Sequence, residues 1–250
     1  MFMKKQFIIT YTSLSVGWLL LMIAIFSIIL SSCSRDRISG SGHVVTDTRP
    51  AGIFTDVEIS GPFEVHLLQE NNPAVDIKAE DNIIGVIETG VSNNSLYVRI
   101  KNHVNLRRHL PIKVYVHNPA FRRVKFPGSG SLDNKDTLQI PSFSYELNGS
   151  ANASLAIRTT DFSATVNGSG NIGLKGSAAT LKSDINGSGN ITAMDMEVQN
   201  AQIAIRGSGE HSILVRQNLD AKIFGSGNII YTGDAKVVAE IKGSGRIIKQ

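Results

Sequence analysis

Apolar and polar residues alternate throughout the second half of the chain, at a fixed distance from a recurring Gly-Ser-Gly turn. The second copy departs from the pattern, with Ala151 in place of the closing glycine. The turn serines are Ser129, Ser150, Ser169, Ser188, Ser208, Ser226 and Ser244. They are spaced by 21, 19, 19, 20, 18 and 18 residues, and 17 of the 18 residues found seven, five and three positions before the last six of them are apolar. Such a period of two predicts one inward-facing strand per repeat.

A unit of about 19 residues cannot bury its own apolar side, whereas stacked units can. The repeat therefore predicts a right-handed parallel β-helix over residues 128–250, an all-β fold with Gly-Ser-Gly corners. Glycine suits such corners because it accepts positive φ and lets successive backbones approach closely. Asn148, Asn167 and Asn186, just before the turns, are expected to form an amide ladder along the axis, and the stacked serine hydroxyls a similar one.

Residues 42–127 also have strand periodicity, as in Phe63-Glu64-Val65-His66-Leu67 and Ile112-Lys113-Val114-Tyr115-Val116. No long helical pattern competes with it. We therefore expect an N-terminal β region that is continuous with the β-helix.

The N-terminus has the pattern of an export signal. A basic stub at residues 1–5 precedes an apolar run over residues 14–30, and Leu30-Ser31-Ser32-Cys33 resembles the bacterial lipoprotein signal. Residues 1–32 are predicted to be a signal peptide, Cys33 the lipidated residue, and residues 33–41 a tether to the folded part. A retained transmembrane anchor is the alternative for this run.

The composition limits the classes of function that are possible. The 250 residues carry a net charge of only +4 and a single cysteine, which excludes a disulfide framework and a multi-cysteine zinc site and argues against a nucleic-acid partner. Charge is nevertheless concentrated between Glu88 and Asp133, where basic residues occur and acidic ones do not. We predict that Arg107, Arg108, Arg122 and Arg123 carry any contact with an anion such as an envelope glycan or another polyanion. Solvated outward strand positions are the alternative interpretation of this segment.

The Gly-Ser-Gly turns do not match the motifs of catalysis or phosphate binding. No helix follows them, as a phosphate-binding loop requires, the spacing is not that of a nucleophile elbow, and no turn holds the aspartate of a calcium-binding β-roll. The Asn-Gly-Ser matches to the N-glycosylation pattern follow from the turn composition. The repeat-region aspartates share no stacked position, and the histidines lack metal-ligand spacing. We expect no catalytic residue, no metal and no cofactor.

The chain from about residue 42 to residue 249 resembles the bacterial putative auto-transporter adhesin, head GIN domain family, found as envelope lipoproteins chiefly in Bacteroidetes. The segment Phe54-Thr55-Asp56-Val57-Glu58-Ile59-Ser60-Gly61-Pro62-Phe63-Glu64-Val65, the segment Pro111-Ile112-Lys113-Val114-Tyr115-Val116 and the Asn-Gly-Ser-Gly-Asn turns carry the resemblance. It implies a β-helical surface or periplasmic lipoprotein of the outer membrane, and it implies no catalytic residue.

These features together predict a lipid-anchored, non-enzymatic binding or structural module of the cell envelope, adhesin-like in character. Its expected partners are the membrane, through the lipid, an envelope glycan or other polyanion, and a second copy of the chain. The alternative is a β-helical carbohydrate-active enzyme, a polysaccharide lyase or hydrolase, for which two carboxylates about 5 to 10 Å apart in a cleft would be the mark.

Overall fold

The computed structural model of the protein describes residues 36–250. The predicted signal peptide, the predicted lipidation site Cys33 and the first residues of the predicted tether lie outside the described residues.

The described part is almost entirely β-structure, with one helix of four residues. The first elements are β1 (Asp36–Ile38), β2 (Val44–Pro50), β3 (Asp56–Ser60), β4 (Phe63–Gln69), β5 (Ala74–Glu80), α1 (Asp81–Ile84), β6 (Ile87–Ser92), β7 (Ser95–Ile100), β8 (Val104–Leu106), β9 (Ile112–Asn118) and β10 (Arg123–Gly128). The remaining elements are β11 (Ser131–Asn134), β12 (Leu138–Gln139), β13 (Ser142–Gly149), β14 (Asn152–Gly168), β15 (Asn171–Gly187), β16 (Asn190–Gly207), β17 (Glu210–Gly225), β18 (Asn228–Thr232), β19 (Lys236–Gly243) and β20 (Arg246–Lys249).

Parallel pairing stacks each repeat directly on the one before it. The equivalent residues Ser142, Asp161, Thr180, Asn200, Asn218 and Lys236 are paired in succession. Their offsets of 19, 19, 20, 18 and 18 residues equal the spacings of the turn serines from Ser150 onward. The prediction of a parallel β-solenoid with coils of about 19 residues is therefore confirmed.

The inward column of the repeat forms the core. Ile203 is 2% exposed, while its neighbour Gln202 faces solvent, as the alternation requires. Ser183 is the one polar residue among the eighteen inward positions, and it is buried at 1% exposure. The same alternation extends through the N-terminal strands, so one apolar core runs through the whole described part.

The glycine corners allow the coils to approach closely. Gly168 has φ +137°, a conformation that favours glycine, and a Cβ there would collide with the carbonyl oxygen of Gly149 in the coil below. That carbonyl accepts a hydrogen bond of 3.0 Å from the backbone N–H of Ser169. The corner therefore depends on backbone hydrogen bonds between coils, and a side chain at Gly168 would separate them.

The N-terminal strands begin the solenoid, but not in chain order. The β3–β4 coil lies between two others, because β3 pairs with both β7 and β10, and β4 pairs with both β9 and β11, all in parallel. The chain thus builds one coil, leaves it to form the outermost one, and returns to its other side. The N-terminal β region is continuous with the repeat, because β10 also pairs with β13.

Antiparallel strands cover the outermost coil at this end. β6 pairs with β7, β5 pairs with β9, and β2 pairs with β5. The coil itself therefore has no free edge at β7 and β9, and the outermost strands at this end are the antiparallel β2 and β6.

The last part of the predicted tether is ordered in the structure. β1 pairs with β8, and the backbone N–H of Gly40 donates to the carbonyl of Arg108 at 2.8 Å. The hydroxyl of Ser41 donates to Asp81 at 2.5 Å. Residues 36–41 therefore lie against the folded part, because groups of distant segments form hydrogen bonds with them.

Candidate functional site

A shallow groove of about 270 Å³ crosses the outer surface of four neighbouring coils. We call it the β13–β16 groove. Its lining residues are Ser142, Phe143, Ser144, Asp161, Phe162, Ser163, Thr180, Leu181, Lys182 and Gln202. Because equivalent residues of successive coils are about 4.8 Å apart, the groove offers hydroxyl, amide and charged groups at a regular spacing along the axis.

Apolar residues support this groove from below. The rings of Phe143 and Phe162 are stacked with centroids 5.7 Å apart, and Leu181 continues the same column. All three side chains are buried, so the polar groups above them stand on a rigid sheet.

One carboxylate, that of Asp161, lines the groove. Its Oδ1 accepts a hydrogen bond of 2.6 Å from the hydroxyl of Thr180 in the next coil. The groove lining thus contains hydrogen-bonding groups suited to a polar polymer, but not the two facing carboxylates that glycoside hydrolysis uses.

Two asparagine ladders flank the serine corners. The predicted ladder is confirmed, because the amide of Asn167 donates to Asn148 at 2.7 Å and that of Asn186 donates to Asn167 at 2.8 Å. A second ladder joins Asn152, Asn171 and Asn190, two residues after the serines, at 2.9 Å per step. Sequence reasoning missed this second ladder, although the Asn-Gly-Ser-Gly-Asn turns contained its signal. Of the stacked serines, Ser226 and Ser244 are hydrogen-bonded, with Oγ atoms 3.1 Å apart.

Acids from neighbouring strands neutralise much of the basic segment. The ion pairs are Arg99–Glu88 at 3.0 Å, Lys113–Glu64 at 3.7 Å, Lys125–Glu146 at 3.6 Å, and both Arg122–Asp56 and Arg123–Asp56 at 2.8 Å. In each of the first three pairs the two residues lie directly opposite each other on adjacent strands. The fold thus neutralises about half of the charge of this segment, since four carboxylates pair with five of its eight basic residues.

The four predicted anion-binding arginines are held by different parts of the chain. Arg122 and Arg123 converge on the carboxylate of Asp56, whose side chain is only 12% exposed. Arg107 and Arg108 lie between β8 and β9, where their backbones are hydrogen-bonded to Ile38 and Gly40. Within residues 36–250 neither takes part in an ion pair, so no described acid neutralises this second pair.

Three of the six histidines of the described part, His43, His66 and His117, form pairs with acids. His66 lies 2.7 Å from Asp133, and His117 lies 2.9 Å from Glu70 and 3.2 Å from Asp76. Among residues 36–250 there is no cluster of three or more His, Cys, Asp or Glu side chains placed to hold a metal ion.

Three buried polar side chains interrupt the apolar core. Tyr145 and Ser183 fall on inward positions of the repeat, whereas the burial of His211 was not predicted from the sequence. Tyr145, Ser183 and His211 each have a buried polar atom without a hydrogen-bond partner among the described residues. Burial raises the pKa of Tyr145, and it lowers the pKa of His211 to about 3. The imidazole of His211 is therefore neutral at physiological pH.

Within residues 36–250 no helix has the length and apolar character needed to cross a membrane.

Comparison with protein families matches residues 53–235 to the family described as "Putative auto-transporter adhesin, head GIN domain". Comparison with the curated proteins found no match.

Three solved structures share the fold over most of the chain. A "putative adhesin" from Bacteroides fragilis superposes with a TM-score of 0.82 at 22% identity, covering 85% of this chain and 100% of its own. A "putative lipid binding protein" from Parabacteroides distasonis gives a TM-score of 0.75 at 25% identity, covering 86% and 100%. A "putative adhesin" from Parabacteroides merdae gives 0.69 at 23% identity, covering 86% and 99%.

Proposed function

Because this chain belongs to the putative auto-transporter adhesin, head GIN domain family, we propose that it is a non-enzymatic, adhesin-like binding module of the cell envelope. In this proposal a lipid on Cys33 anchors the protein to the outer membrane, and the solenoid presents its outer surface to an envelope glycan.

The observation that carries the proposal is the β13–β16 groove. It is open and shallow, and it places the hydroxyls of Ser144, Ser163 and Thr180 on consecutive coils, next to Asp161 and Lys182. An extended polysaccharide also repeats hydroxyl groups along its length, so it could contact several coils at once. Many weak hydrogen bonds along a rigid surface favour retention of a polymer over capture of a small molecule.

The experiment is a binding screen of the fragment Ser34–Gln250 against neutral glycans, anionic glycans, lipopolysaccharide and phospholipid vesicles, with released sugar measured in parallel. Binding of a glycan without release of product supports the proposal. Release of new reducing ends would instead favour the carbohydrate-active enzyme, and binding to vesicles alone would favour a lipid ligand.

A pair of double variants locates the site. Asp161→Asn combined with Lys182→Gln removes both charges of the groove. We expect about thirtyfold weaker glycan binding, since two lost hydrogen bonds at about 1 kcal/mol each amount to about 2 kcal/mol. Lys175→Gln combined with Asp195→Asn is the matched control, because both residues are exposed and neither lines the groove. Equal affinity of the two double variants would place the glycan site elsewhere.

The proposal also includes an anion contact, and the two arginine pairs should behave differently. We expect Arg107→Gln with Arg108→Gln to reduce retention on a heparin-like or lipopolysaccharide matrix at low salt, without loss of stability. Arg122→Gln with Arg123→Gln leaves the carboxylate of Asp56 nearly buried and unpaired, so it should lower the free energy of unfolding by about 1 to 3 kcal/mol. Equal retention of wild type and the Arg107 and Arg108 double variant would reduce that pair to ordinary solvated surface.

A further inference from the structure

The two ends of the solenoid differ. At the N-terminal end antiparallel strands cover the last coil, whereas at the other end the strands β19 and β20 are paired on one side only among residues 36–250. Backbone N–H and C=O groups on the other side of β19 are free to pair with another strand.

Apolar side chains surround this free edge. Val238 is 70% exposed, Ile241 is 44% exposed and Ile248 is 39% exposed. The equivalents of Ile241 in the preceding coils, Ile223 and Ile205, are both fully buried. The terminal coil therefore leaves its share of the core uncovered on one side.

The outward residues of β19 and of the segment just before it are, in order, Asp234, Lys236, Val238, Glu240 and Lys242. Residues that lie equally far from Val238 on its two sides carry opposite charges. In an antiparallel pair the directly opposed residues project from the same face, and opposite charges there are favourable while like charges are not. This order is complementary to itself when the strand meets a second copy running the other way.

We propose that the free edge of β19 binds the β19 edge of a second copy of this chain, in antiparallel register about a two-fold axis at Val238. Lys236 then lies opposite the second copy's Glu240, and Asp234 opposite its Lys242. The valines at position 238 meet each other, and Val237 lies opposite Ala239 on the core side.

Neighbouring registers are excluded by charge. Centring the pair on Ala239 places Lys236 opposite Lys242, centring it on Glu240 opposes the two glutamates, and centring it on Val237 opposes Asp234 with Glu240. A shift by one residue in a single strand would instead turn core-side residues outward. Only the register centred on Val238 places Lys236 opposite Glu240 and also Asp234 opposite Lys242. The contact is therefore specific for a second copy of the chain, and its two-fold symmetry limits the assembly to a dimer.

The test is sedimentation equilibrium of the full chain in a density-matched non-ionic detergent. Wild type is expected to be a concentration-dependent dimer. Lys236→Glu and Glu240→Lys should each weaken the dimer by at least about tenfold, because each places like charges opposite each other twice. An equimolar mixture of these two variants should form a heterodimer, and the double variant should dimerise like wild type.

Lys135→Glu is the control for net charge, since Lys135 is exposed in the turn between β11 and β12, and it should leave dimerisation unchanged. Thermal melting of each variant checks that the solenoid is intact. We expect unchanged melting temperatures, because the substituted positions are exposed. A monomeric wild type, open-ended polymers, or single variants that dimerise as tightly as wild type would each overturn the proposal. All these variants keep Cys33 and the glycan groove, so failure here would leave the proposed function standing.

Discussion

Acidification should destabilise this protein through one residue, His211. Its side chain is 0% exposed and it lies in an inward column between Ile191 and Ile229 of the adjoining coils. Neither ring nitrogen has a hydrogen-bond partner among residues 36–250. A proton on this imidazole would be a buried charge that the backbone of Ser212 offsets only in part, so burial lowers its pKa to about 3 from the usual 6.5.

The size of the effect follows from linkage. Between pH 6.5 and pH 3 the unfolded chain binds a proton at this histidine while the folded chain does not, so stability is lost as the pH falls. Each pH unit in that window costs about 1.4 kcal/mol, giving a loss of about 2 kcal/mol at pH 5. Above pH 6.5 the histidine is neutral in both the folded and the unfolded chain, so it causes no loss in the free energy of unfolding.

Urea unfolding at pH 7.5 and pH 5.0 measures this loss, with His211→Ile as the test variant. Isoleucine matches its neighbours in the column and has no polar atoms, so we expect it to gain about 1 to 3 kcal/mol at pH 7.5. It should also lose about 2 kcal/mol less than wild type on acidification. His103→Asn is the control, because His103 is exposed with φ 67°, which asparagine tolerates. If wild type and His211→Ile lost equal stability between the two pH values, His211 would not be the acid-sensitive group.

Two further changes test the register and the anchor. Ile203→Asp should lower the free energy of unfolding by several kcal/mol because it buries an unpaired carboxylate, while Gln202→Asp, which points outward, should change it by about 0.5 kcal/mol or less; equal losses in thermal melts would contradict the register. Cys33→Ser should move the protein from the detergent phase to the aqueous phase in phase partitioning without lowering its melting temperature, since the expected role of Cys33 is to carry lipid. A variant that stayed in the detergent phase with an uncleaved N-terminus would favour the transmembrane anchor.

The repeat could be predicted from the sequence because its determinants are local and recur. Each coil carries its own alternation and its own glycine corner. The number of residues from Ser169 to Ser188 therefore equals the sequence separation of the residues that pair between β14 and β15. Contacts between neighbouring repeats dominate such a solenoid, and the inward position of Ile203 and the asparagine ladder follow directly. The family resemblance came from the same turns and from the β3–β4 segment.

The rest depended on contacts between residues far apart in the chain. No local pattern shows that β10 passes over the β7–β9 coil to pair with β3, or that Asp56, 66 residues before Arg122, neutralises it. The groove lining depends on which outward side chains of four coils meet, and the burial of His211 depends on two coils closing over it. Strand periodicity determines which residues face inward. The ion pairs of the basic segment, the end covered by antiparallel strands and the exposed terminal coil arise only when the coils are stacked, because they are properties of neighbours in space.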